Sequence, residues 1–264
     1  MIKQKSGNQE PIKKDILKNK NNDKSHKAFH ENAHKQENNK QHLKQKQLYV
    51  ELTKHLCADF QPSTYLNQLL SGGKLDEYPY TMLKILETIP QSPVHHPEGC
   101  VWNHVCLVVD HAARVRQQSR DPLTFMWAAL LHDIGKSKTT RERRGKITAY
   151  DHDTVGMHMA VEFLSQLTDD QTLIKHVGAL VKYHMHPLYV LKGLPFGDMQ
   201  GMKAETDVRE IALLGFCDRM GRTGSNAGEE SKKIKMFMEK CGIKNSSLHL
   251  SSHGQRLQHP SFLG

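Results

Sequence analysis

A set of imidazoles and carboxylates between residues 104 and 218 falls at or near expected helix ends: His104, His132, Asp133, His152, His184, His186 and Asp218. All are metal-competent groups. His132 and Asp133 are adjacent, and successive residues of a regular helix point about 100° apart, so the pair shares no helix face. Where a helix stops, the backbone can turn both toward one ion. Each group also has a plainer explanation. His184 suits the negative end of a helix dipole, and Asp133 suits an ordinary polar terminus. Asp218 is harder to explain that way, because it follows the apolar run Ile211-Ala212-Leu213-Leu214-Gly215-Phe216-Cys217, where an unpartnered carboxylate is costly to bury.

Elements that would position these groups follow from apolar periodicity. Residues 101–118 carry apolar side chains at 101, 105, 108, 109, 112 and 115, with His104 in the first turn. A helix over 123–134 begins after Asp121-Pro122, an N-cap aspartate with proline at the first turn, and ends in His132-Asp133. Helices over 155–166, 170–183 and 207–220 are expected next. His152 then lies in a polar loop, His184 and His186 follow the fourth helix, and Asp218 lies near the end of the last. Upstream, Tyr49, Leu52, Leu56 and Phe60 approximate one stripe, and segments 64–70 and 81–89 are helical in pattern. Residues 147–150 have a weak tendency to pair, but nothing supports a sheet. The expected fold class is all-α, a helical bundle behind a disordered N-terminal leader.

Charge separates the leader from the body. Residues 1–48 hold 12 of the 37 Lys and Arg and 5 of the 28 Asp and Glu, a net of +7, leaving +2 for the other 216 residues. A basic nucleic-acid face is therefore not implied for the body as a whole. The expected organisation is a basic leader over 1–42, packing helices over 43–90, a main domain over 91–243 and a polar tail over 244–264. The leader has too few large apolar side chains to offset chain entropy. Five cysteines (57, 100, 106, 217 and 241), with no CxxC, argue against a disulfide framework or zinc ribbon and suit a reducing cytoplasm. No stretch approaches the ~18 apolar residues of a membrane span.

The order His104, His132-Asp133, Asp218 resembles the HD superfamily of metal-dependent phosphohydrolases, all-helical proteins named for that dipeptide. The resemblance covers roughly residues 90–225 and is closest to HD domains of the tRNA nucleotidyltransferase and poly(A) polymerase type. His96-Pro97-Glu98-Gly99-Cys100-Val101-Trp102-Asn103-His104 is similar to the HPEGDVWxH approach to the first ligand, with Cys100 in place of the aspartate. His152 to Gly156 fits HxxxG, Tyr183-His184-Met185 fits the HM element, and Asp218 to Arg222 resembles DxxGR. Residues 1–90 are too few for the nucleotidyltransferase head and lack its signature, so a stand-alone HD protein is expected.

The resemblance implies a metal held by His104, His132, Asp133 and Asp218. His152 and His184 are further ligands if a second metal binds, or phosphate contacts if only one does. Such a mixed nitrogen and oxygen shell suits Mn, Co, Ni, Fe(II) or Mg, one or two ions, with no thiolate to select zinc or copper. Asp133 would act as ligand and as the group that orients or deprotonates a water, with Lys136 as a second catalytic group. Arg219 and Arg222 would bind phosphate. The expected function is a cytoplasmic phosphodiesterase or phosphatase, acting on a phosphorylated small molecule, a nucleotide or an RNA-derived phosphate ester. The alternative is a non-catalytic RNA- or protein-binding module with a structural metal.

Overall fold

The computed structural model of the chain describes residues 36–244 and 248. The expectations for the leader up to residue 35, and for nearly all of the C-terminal tail, lie outside the described residues. The chain divides into two compact units, residues 1–48 and 49–264. In the first, residues 36–48 are helical, so helix is already present seven residues before the expected position 43. In the second, residues 49–58 are helical, and we label them α1.

The second unit is an all-α body: α2 (Ser63–Ser71), α3 (Thr81–Lys84) with a 3₁₀ turn after it, α4 (Val101–Val115), α5 (Pro122–Leu131), α6 (Lys136–Thr139), α7 (His152–Ser165), α8 (Gln171–Tyr183), α9 (His186–Lys192), α10 (Met199–Glu205), α11 (Val208–Met220) and α12 (Ala227–Lys240). At its centre is α5. Residues 125–131 are fully buried all round, and the helix packs against α4, α8 and α11. A helix without a polar face belongs inside a core. Asp121 caps it by accepting from the Thr124 amide, with Pro122 at the first position. Asp170 and Asp207 cap α8 and α11 in the same way. Helix α1 covers α5: Tyr49 stacks on Trp127 at 5.2 Å, and the Trp127 indole N–H donates to Thr53 Oγ1 at 3.2 Å.

Several local expectations are corrected. Residues 141–148 form a two-stranded antiparallel hairpin, β1 (Arg141–Arg143) and β2 (Lys146–Thr148), with Arg141 opposite Thr148 and Arg143 opposite Lys146. Its turn, Arg144-Gly145, has positive φ at both residues, 50° and 72°. Such turns favour Asn-Gly or Asp-Gly, so Arg-Gly hid the signal. Helix α7 starts at His152, three residues earlier than expected, after a left-handed Asp151 with φ 59°. The histidine is thus part of the helix and not of the loop. Helix α4 tightens into a 3₁₀ turn at Arg116–Gln118. Helices α9, α10 and α12 were not anticipated.

Candidate metal centre

The C-terminal end of α5 is the meeting point. His132 follows the last residue of α5, and Asp133 comes next in the turn before α6. His104 arrives from the first turn of α4, Asp218 from the last turns of α11, His152 from the start of α7 and His184 from the end of α8. All six are buried.

Two close approaches of backbone make this convergence possible. A Cβ on Gly135 would run into the His152 carbonyl oxygen and lie 2.6 Å from the Gly156 amide, so only glycine lets α7 sit against the turn after Asp133. A Cβ on Gly221 would run into Val108, and glycine there brings the end of α11 against α4. The first contact sets His152 beside Asp133, and the second sets His104 beside Asp218.

Asp133 lies between two groups of donors. Its Oδ2 is 3.3 Å from His132 Nε2 and 3.6 Å from His104 Nε2, and His104 Nε2 is 3.0 Å from Asp218 Oδ1. Its Oδ1 is 3.4 Å from His152 Nε2 and 3.8 Å from His184 Nε2. The donor atoms of His104, His132 and Asp218 lie within 4.8 Å of one another, as do those of Asp133, His152 and His184.

The far side of each ring fixes its tautomer. The Nδ1–H groups of His132, His152 and His184 donate to the carbonyl oxygens of Ala129, Ala149 and Val181, at 2.8, 2.7 and 2.7 Å. A carbonyl only accepts, so in the neutral ring the lone pair is on Nε2, facing inward. His152 Nε2 and His184 Nε2 then face each other at 3.2 Å, acceptor to acceptor. His132 Nε2 is buried with no hydrogen-bond partner. Inward lone pairs with nothing to donate to them, beside two carboxylates, are what a divalent cation requires. The donors present fit such an ion.

Electrostatics agree. Burial opposes ionisation of Asp133, but the Lys136 ammonium and the His132 ring hold its carboxyl well below the usual range. Asp218 behaves likewise, with burial outweighed by the Arg222 guanidinium and the hydrogen bond with His104. Burial and the neighbouring His152 and His132 draw His184 down to about 4, keeping it neutral and able to ligate near pH 7. Burial also lowers His152. His104 is raised: burial works against its charge, but hydrogen bonds with Asp218 and Glu98 outweigh it.

Two residues of this centre were missed by sequence reasoning. Glu98 Oε1 accepts from Nδ1 of His104 at 2.9 Å and of His96 at 2.8 Å. Burial opposes its ionisation, yet these bonds and one from its own backbone hold it down at about 2. Gln91 accepts from Lys136 Nζ at 2.7 Å. The signal for Glu98 was its place in His-Pro-Glu-Gly, six residues before His104.

Lys136 Nζ also donates to Asp133 Oδ2 at 2.7 Å. Arg222 donates to Asp218 Oδ2 at 3.4 Å. Both line a cavity of about 210 Å³ that reaches Asp133, His152, His184 and Asp218. Arg219 does not join them. Its Nε donates to Glu230 Oε2 of α12 at 3.1 Å, and it is not among the residues that line the cavity. His186 starts α9 and packs on Tyr183 and Tyr189, apart from the donors.

Residues 101–219 match the HD domain family. The multifunctional CCA protein of Actinobacillus pleuropneumoniae serotype 5b (strain L20) is 32% identical over 146 residues, 55% of this chain and 34% of that protein. That of Pseudomonas syringae pv. syringae (strain B728a) is 32% identical over 139 residues, 52% of this chain and 32% of its own length. That of Aromatoleum aromaticum (strain DSM 19018 / LMG 30748 / EbN1) is 53% identical over 51 residues, 19% of this chain and 12% of its own length. The chain thus covers about a third, or less, of each of these curated relatives.

Proposed function

With an HD domain, the fold of a family of metal-dependent phosphohydrolases, at residues 101–219 as the premise, we propose that the chain hydrolyses a phosphodiester or phosphomonoester of a nucleotide or RNA end. The observation that carries this is Asp133, whose two carboxylate oxygens each face a separate cluster of inward imidazole nitrogens at the floor of a cavity. His104, His132, Asp133 and Asp218 would hold a divalent ion, with His152 and His184 joining Asp133 at a second position. When bound, such an ion polarises a phosphoryl oxygen and lowers the pKa of a water toward neutrality.

The chain's own groups supply the rest. Lys136, held by Gln91 and Asp133, and Arg222, held by Asp218, present cations to the cavity where charge grows on the phosphoryl oxygens. Asp133, kept ionised, is placed to orient an attacking water and take its proton. The RNA-derived ester is supported by the likeness to multifunctional CCA proteins. A purely structural metal fits less well, since structural sites are closed and these donors open into a cavity. Among the described residues no helix is long and apolar enough to cross a membrane.

The test is turnover of model phosphodiesters, phosphomonoesters and nucleotides by purified protein supplied in turn with Mn, Co, Ni, Fe(II) and Mg. His132→Ala combined with Asp133→Ala is expected to abolish hydrolysis while the circular dichroism spectrum stays helical. No turnover with any metal and ester would sink the proposal.

A further inference from the structure

The segment joining α6 to α7 runs from the cavity wall out into solvent. Thr140, Ile147, Thr148 and Ala149 line the cavity, and His152 reaches its floor. Toward the tip of the hairpin Arg143, Arg144 and Lys146 are exposed, and beyond β2 Tyr150 leaves 76% of its surface open. None of Arg143, Arg144 and Lys146 has a carboxylate partner among the described residues, and Glu142 is the acidic residue between Arg141 and Lys146. Arg141 is turned back, donating to the carbonyls of Lys138 and Thr140, and so ties the base of the hairpin to α6.

Turn chemistry does not account for these residues. Arg144 holds a φ of 50°, a conformation that Asn, Asp or Gly adopts at lower cost. An arginine there puts a cation at the tip of the hairpin. The cavity is small as well, about 210 Å³. Ligand sites that enclose a whole drug-sized molecule run to roughly 300–1,000 Å³. A phosphate ester end fits inside, and Ile147 and Thr148 of β2 form one wall, so a longer substrate that leaves on that side runs along the hairpin.

We infer that the hairpin and Tyr150 bind the single-stranded nucleic acid that continues from the ester in the cavity. Arg143, Arg144 and Lys146 contact flanking phosphates, and the Tyr150 ring stacks on a base. The inference rests on the phosphohydrolase reading and names its substrate as the end of an oligonucleotide chain, in preference to a free mononucleotide. Unpaired cations alone would fit any polyanion. An exposed aromatic ring a few residues along the same segment favours nucleic acid, because every base offers a face to stack on.

The experiment compares the full chain with a triple variant (Arg143→Gln, Arg144→Gly, Lys146→Gln) and with Tyr150→Ala. The glycine suits the positive φ and keeps the turn. Binding of a labelled single-stranded oligoribonucleotide is followed by anisotropy in EDTA, where no hydrolysis is needed. Turnover with metal is measured on that oligonucleotide and on a mononucleotide bearing the same ester.

The triple variant is expected to bind the oligonucleotide at least tenfold more weakly. The slope of log affinity against log salt should flatten by about 2, at ~0.7 per phosphate contact on a single strand. The ratio of oligonucleotide to mononucleotide kcat/KM should fall. Tyr150→Ala should lose at least about fivefold on the oligonucleotide and nothing on inorganic polyphosphate. Unchanged oligonucleotide binding in the triple variant, or equal losses of kcat/KM on both substrates, overturns the inference. So does Tyr150→Ala without effect on the oligonucleotide, which would leave a general polyanion or acidic-protein surface. Weakened binding in the variants, with neither ester turned over by the parent protein, overturns the hydrolysis reading and leaves the hairpin contact standing.

Discussion

At the scale of single residues, the orientation of the inward nitrogens is set by what the outward ones touch. Glu98 is the clearest case, since it holds His104 from behind and never faces the cavity floor. Groups that orient a ligating histidine typically contribute 10–100-fold to metal affinity. Glu98→Ala should therefore weaken Mn²⁺ binding by about that factor in a calorimetric titration, and an affinity within twofold of the parent would contradict the role. The same residues set the acid sensitivity of the metal-free protein. Burial draws His96 and His184 down to about 4, so the folded state resists protons that unfolded imidazoles accept near 6.5. The stability they contribute is complete above pH ~6.5 and is lost as pH falls toward about 4. Glu98, held at about 2, adds a further loss from its ordinary range near 4.5 downward. His104, raised, works in the opposite direction, its contribution present at low pH and lost as pH rises through its folded pKa. His152, also lowered, and the carboxylates Asp133 and Asp218, held below their usual range, act in the same direction as His96 and His184. The melting temperature in EDTA should drop between pH 6.5 and 4 and again toward 2, whereas a flat profile over the first interval would refute the assignment. Much of this was legible in the chain: six inward groups were singled out from residue type and helix ends. The direction of Arg219 was not legible, because it depends on Glu230, on a helix outside those expected from the sequence.

At the scale of elements, glycine decides how close the helices come. Gly135 has α7 backbone where a Cβ would go, and backbone cannot swing aside as a side chain can. Gly135→Ala should push α7 outward at a cost of about 1–3 kcal/mol, seen as a lower melting temperature. It should also separate His152 and His184 from Asp133, seen as fewer metal equivalents bound per chain. Unchanged stability and stoichiometry would show that the contact yields freely. Gly156 was visible in the sequence as part of a His-to-Gly spacing, and the structure supplies its reason: a Cβ there would come within 3.2 Å of the Val181 side chain and 3.4 Å of the Gly135 amide. The hairpin was not visible as a sheet. Three-residue strands of mostly polar side chains carry too short an alternation to read, and Arg-Gly is an unusual way to turn. The start of α7 was missed because Asp151-His152-Asp153 looks like loop by composition.

At the scale of the whole molecule, the donors come from α4, the end of α5, α7, α8 and α11, so an ion held by them cross-links most of the helical body. A ligand that binds only the folded chain at 100 times its Kd adds about 2.7 kcal/mol. For a body of this size that amounts to roughly 5–10 °C in melting temperature. Adding Mn²⁺ after EDTA treatment should raise the melting temperature by that amount in the parent and leave Asp133→Ala unmoved. An equal rise in both would place the ion elsewhere. The sequence could name the donors but not this bracing, because only the packing of α5 among its neighbours shows that separate helix ends share one point. One feature of those ends reaches further. His132, His152 and His184 are each tied to the carbonyl three residues before them, at Ala129, Ala149 and Val181. Each ring takes its bearing from its own stretch of chain and not from a neighbour's side chain. The walls at Ile147, Met185 and Leu188 are then open to rebuilding for new substrates, because exchanging them leaves every one of these anchors in place.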